Sequence, residues 1–60
     1  MKFIVRTPYY VFSEDNAIKW LARNIGEYSK EWELGFFGGQ FKVKFKSGSD
    51  ATLFKLKFGL

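Results

Sequence analysis

Sixty residues with ten basic and six acidic side chains, a net charge of +4 and neither cysteine nor histidine make one small basic domain, residues 1–60. This composition excludes disulfides, the usual structural zinc sites and the common nucleophile–base pairs built on Cys or His. So short a chain buries only about 60% of the surface its unfolded form exposes, and eight Phe, three Tyr and two Trp have to supply its core.

Lys2–Arg6 (KFIVR) reads as a short strand, with Phe3 and Val5 on one face and Lys2, Ile4 and Arg6 on the other. Pro8 lacks the donor that strand pairing needs and ends it. Tyr9, Tyr10, Val11 and Phe12 follow as an apolar connector. Ser13-Glu14-Asp15-Asn16 reads as a helix start, with Ser13 or Asp15 capping free N–H groups and the acids complementing the helix dipole. Ile18, Leu21, Ala22 and Ile25 recur at helical spacing. Asn24-Ile25-Gly26 stops the helix, with an extension to about Lys30 as the alternative.

From Trp32 the pattern changes to alternation. Gly38-Gly39 is a two-residue hairpin turn. It pairs Phe37 with Gln40, Phe36 with Phe41, Leu34 with Val43, Glu33 with Lys44 and Trp32 with Phe45. Gly48-Ser49 reads as a second turn, which pairs Phe45 with Thr52, Val43 with Phe54, Lys42 with Lys55 and Phe41 with Leu56. Both registers place the large apolar residues on one face. The expectation is an α+β fold of order β-α-β-β-β, or β-α-β-β if Gly35 spoils a strand. Its sheet is mainly antiparallel and carries one helix on its apolar face.

Charge is unevenly spread along this pattern. Residues 1–40 carry five basic and five acidic side chains, whereas residues 41–60 carry Lys42, Lys44, Lys46, Lys55 and Lys57 against Asp50 alone. In the expected sheet these lysines share the helix-free face, where Lys42 and Lys55 stand opposite each other. Like charges so placed cost up to ~1 kcal/mol, which an anionic partner relieves. Solubilisation alone also accounts for lysines on the water side of a sheet.

No catalytic centre, metal or cofactor is expected. Glu31 and Glu33 are two apart and belong to the polar face of a strand, with Glu33 opposite Lys44 and no cleft around them. Gly38-Gly39 lies between strands with no Gly-Lys-Ser/Thr after it, so it is not a phosphate-cradling loop. MKFIVRTPYY lacks the apolar run of a secretory signal. No stretch approaches the roughly 20 apolar residues of a membrane span. The expectation is a cytoplasmic, membrane-free, non-catalytic binding protein.

Two ways of binding remain. In the first, Lys42, Lys44, Lys46, Lys55 and Lys57 contact nucleic-acid phosphates without reading sequence, or contact an acidic protein surface. In the second, Tyr9, Tyr10, Phe12 and Trp20 form an aromatic docking patch off the core stripes. That patch would serve a homodimer, or an adaptor or inhibitor of the type of viral accessory proteins that act on host proteins.

Overall fold

The computed structural model describes residues 1–60. Three strands, β1 (Phe3–Arg6), β2 (Trp32–Phe37) and β3 (Gln40–Phe45), form one antiparallel sheet of order β1-β3-β2. Three helices, α1 (Tyr9–Ser13), α2 (Ala17–Asn24) and α3 (Gly48–Phe58), complete a mixed α and β chain.

The β2–β3 hairpin has the register its turn dictates. Trp32 faces Phe45, Leu34 faces Val43, Phe36 faces Phe41 and Phe37 faces Gln40. Gly38 and Gly39 have φ of 62° and 76°, the double positive φ of the hairpin turn whose twist matches that of its strands. Gly35 stays within β2.

The expected fourth strand does not exist. Residues 48–58 are α3, so the order is β-α-α-β-β-α rather than β-α-β-β-β or β-α-β-β. Three causes act together. The Ser47 Oγ accepts the Asp50 amide hydrogen at 3.4 Å, and Asp50 lies in the first turn, where a helix favours an acid. Gly59 (φ 68°) closes the other end, and the Leu60 amide donates to the Lys55 carbonyl at 2.9 Å. The edge of β3 that a fourth strand needs is taken by β1, which pairs Phe3 with Phe45, Val5 with Val43 and Arg6 with Lys42. The pairs Val43–Phe54, Phe41–Leu56 and Lys42–Lys55 are therefore absent. Phe54 still reaches the core from the helix, but Leu56 is 76% exposed.

The segment before α2 also differs from expectation. Tyr9–Ser13 is a helical turn rather than a connector, and it buries Val11. Neither Ser13 nor Asp15 caps α2. Asn16, with φ 52°, precedes it and makes no side-chain cap bond. The helix ends at Asn24, so the shorter version holds. The Ile25 and Gly26 amides both donate to the Leu21 carbonyl, and Gly26 has φ 143°. The buried stripe is Ala17 and Leu21, flanked by half-buried Trp20 and Ile25; Ile18 is largely exposed.

The core joins Val5, Val11, Ala17, Leu21, Trp32, Val43, Phe45, Ala51 and Phe54. Phe54 stacks on Phe45 and Phe58 at ring separations of 5.3 and 5.0 Å. No buried side-chain nitrogen or oxygen lacks a hydrogen-bond partner: the Thr7 hydroxyl donates to the Val5 carbonyl, and the Trp32 indole N–H donates to the Gly26 carbonyl at 2.9 Å. These contacts draw the helices to the sheet face that carries Val5, Val43 and Trp32, and leave the opposite face bare.

Candidate anion-binding face

Alternation decides what the bare face carries. Since Val5, Val43, Phe45 and Trp32 turn to the core, Ile4 and Arg6 of β1, Lys42 and Lys44 of β3, and Glu33, Gly35 and Phe37 of β2 turn away from it. The registers arrange them in rows across the sheet. One row is Ile4, Lys44, Glu33; the next is Arg6, Lys42, Gly35. Neighbouring strands stand ~4.8 Å apart and successive rows ~6.6 Å apart, close to the spacing of successive phosphates along a nucleic-acid strand. The Lys46 amide donates to the Glu31 carbonyl at 3.1 Å, which carries the ladder one residue beyond β3 and keeps the exposed Lys46 beside this face.

Two residues shape the lysines. The Lys42 Nζ sits 5.0 Å from the centroid of the Phe37 ring, within cation–π range, and Phe37 is 74% exposed. A Cβ added at Gly35 would lie 3.4 Å from Lys44 Cε and 3.7 Å from its Nζ. The missing side chain of Gly35 is therefore the space over which Lys44 extends. The one ion pair of the molecule is Lys30–Glu27 at 3.3 Å, both largely in water. Arg6, Lys42, Lys44 and Lys46 have no carboxylate within 4.0 Å, and Glu33, though opposite Lys44, makes no ion pair with it at that distance.

The five lysines singled out by the sequence are not brought together. Lys42, Lys44 and Lys46 belong to β3 and its extension; Lys55 and Lys57 are exposed on α3, in the helix layer. There Lys57 joins Lys19 and Arg23 around a shallow depression that also holds Asp15 and Trp20. Arg6 takes the position opposite Lys42 that Lys55 was expected to fill. Its alternation within KFIVR was readable, but its neighbour in the sheet depends on where β1 docks, which no local signal specifies.

The aromatic residues likewise separate into two groups. Tyr9 and Phe12 lie on the Phe41 ring at 5.7 and 5.5 Å. Trp20 packs on Phe54 and Phe58 at 6.1 and 5.5 Å and is half-buried, a core-edge residue. Tyr9 and Tyr10 remain exposed. Tyr9 lines a cleft of about 540 Å³ with Arg6, Thr7, Gln40, Phe41 and Leu60. No helix of the chain is long and apolar enough to cross a membrane. Searches against protein-family models, curated proteins and solved structures give no match to this chain.

Proposed function

We propose that the chain is a non-catalytic binding protein that holds the phosphate backbone of nucleic acid, without reading sequence, on the bare face of its sheet. The observation that carries this reading is the juxtaposition of Arg6 with Lys42 and the adjacent Lys44, all without an acid within 4.0 Å. Like charges set opposite on neighbouring strands oppose folding, and a bound polyanion turns that cost into affinity. Lysine acts as a point charge, so contact with phosphates positions the strand without sequence readout. Phe37 adds a π-face beside Lys42, which favours single strands whose bases are free to stack.

The test is a resonance titration of the labelled protein with a random single-stranded oligonucleotide. Amide shifts are expected at Ile4, Arg6, Phe37, Lys42 and Lys44, with Trp20, Leu53 and Phe58 unmoved. Shifts confined to the α2–α3 side overturn the assignment. Shifts around Tyr9, Gln40 and Leu60, obtained with an acidic peptide and not with nucleic acid, select a second reading. In it, the cleft beside Arg6 with its exposed tyrosine is a protein-docking site.

A further inference from the structure

The outer edge of β2 is the one open strand position in the sheet that sits beside a preformed apolar groove. Alternate residues of an antiparallel strand direct both backbone polar groups to the same neighbour. The bond from the Lys46 amide to the Glu31 carbonyl fixes which: Glu31, Glu33, Gly35 and Phe37 bond toward β3, and Trp32, Leu34 and Phe36 turn outward. The Trp32 carbonyl already accepts the Ser29 amide at 2.6 Å, where the chain at Tyr28 runs alongside. Leu34 and Phe36 have no such cover, and no strand lies outside β2. An open edge of this kind is a template for another strand.

The groove lies between α2 and β2. It measures about 580 Å³ and is lined by Ile18, Ala22, Tyr28, Trp32 and Leu34, with Gly26 and Glu27 at one end. Phe36, on the same sheet face as Trp32 and Leu34, is 64% exposed, and Tyr28 and Ile18 are 51% and 41% exposed.

We propose that the occupant is a second copy of this chain, joined by antiparallel pairing of β2 with β2 about a two-fold axis at Gly35. This register sets Leu34 opposite Phe36 of the second copy, and both residues offer outward N–H and C=O groups. Four backbone hydrogen bonds close the pair. Directly opposed side chains of an antiparallel pair share a face, so each Phe36 arrives at Leu34 of the other copy, at the mouth of its groove. Knob and hole are thus supplied by the same surface, as a two-fold interface requires. Phe36 and Tyr28 alone contribute roughly 200 Å² of apolar area per copy. With the groove walls and both edge backbones the total approaches ~1,000 Å², the lower bound for specific association.

A two-fold axis perpendicular to the sheet keeps both helix layers on one side. The result is a six-stranded sheet of order β1-β3-β2-β2-β3-β1 with one continuous bare face. Gly35 leaves the axis free of side chains, and the two Lys44 residues extend toward it. On the nucleic-acid reading, from which the dimer is otherwise independent, this doubles the length of strand that one molecule can hold.

The experiment is sedimentation equilibrium without nucleic acid, at about 0.3 M salt to screen the two Lys44 charges. It is run from about 1 to 100 μM, which reads dissociation constants in the micromolar range. The wild type is expected to shift from monomer to dimer. Phe36→Lys, which puts a charge into the groove, is expected to stay monomeric with an unchanged circular dichroism spectrum. Leu56→Lys, on the exposed side of α3, is expected to dimerise as the wild type does. Amide exchange supplies the second measurement: protection at Leu34 and Phe36 should rise with protein concentration. A wild type that is monomeric throughout, a Phe36→Lys protein that still dimerises, or concentration-independent exchange at those two amides overturns the proposal. None of these outcomes depends on whether nucleic acid binds.

Discussion

Phe37 is the residue on which the proposed ligand preference turns. It is the most exposed aromatic of the chain, and its ring is held beside the Lys42 ammonium at 5.0 Å. The ammonium lies over one side of this solvent-facing ring, which leaves the other side to a nucleobase, and a base stacked there has a cation beside it for its phosphate. Stacking of a base on an aromatic side chain is worth about 1–3 kcal/mol by alanine substitution. Phe37→Ala should therefore weaken binding of a random single strand by roughly five-fold to a hundred-fold and leave duplex binding nearly unchanged. Fluorescence anisotropy with the two oligonucleotides at matched salt measures the ratio. Equal losses on both would reduce Phe37 to a support for the Lys42 side chain. Gly35 works in the opposite sense, by having no side chain in the space that Lys44 crosses.

At the scale of elements, α3 decides how the charge is distributed. Its start depends on Ser47, whose hydroxyl accepts the Asp50 amide hydrogen. Ser47→Ala should destabilise the fold by about 1 kcal/mol, read as a lower urea midpoint with an unchanged slope. A strand at 48–58 would instead be indifferent to this change. The hairpin β2–β3 was legible in full because a two-residue glycine turn leaves a single register, and alternation around it checks that register. The same alternation misled at FKLKF. There Phe54, Leu56 and Phe58 also satisfy a helix in which Ala51 and Phe54 face the core, Phe58 packs beside it and Leu56 does not. Ser47-Gly48-Ser49-Asp50 did carry the opposing signal, a capping residue followed three positions later by an acid, but Gly48-Ser49 within it imitates a turn. Tyr9–Ser13 gave no helical signal of its own. Its aromatic and β-branched residues are mediocre helix formers, and burial of Val11 stabilises the turn from outside. At the candidate face, Lys42 and Lys44 were readable from local alternation. Arg6 entered by a pairing between residues nearly forty positions apart, and Lys55 and Lys57 left it when the last segment became a helix.

The whole molecule is a three-stranded sheet covered on one side only, with nine core residues to hold it together. Domains of this size have stabilities of roughly 0.05–0.15 kcal/mol per residue, against which the opposed Arg6–Lys42 pair on the bare side costs up to ~1 kcal/mol. Nucleic-acid phosphates are the proposed partners of Arg6, Lys42, Lys44 and Lys46, and the salt dependence of binding tests that assignment most directly. Each phosphate neutralised on a single strand contributes about 0.7 to the slope of log affinity against log salt. Arg6, Lys42, Lys44 and Lys46 together therefore predict a wild-type slope near −3. Replacing Arg6, Lys42 and Lys44 with Gln should make it shallower by about 2 units. The Lys55→Gln, Lys57→Gln double variant, which removes charge from the helix layer alone, should keep the wild-type slope. Undetectable binding of the wild type at ~50 mM salt, where clustered cations give measurable affinity, or an equal loss of slope in the two sets of variants, would contradict the account.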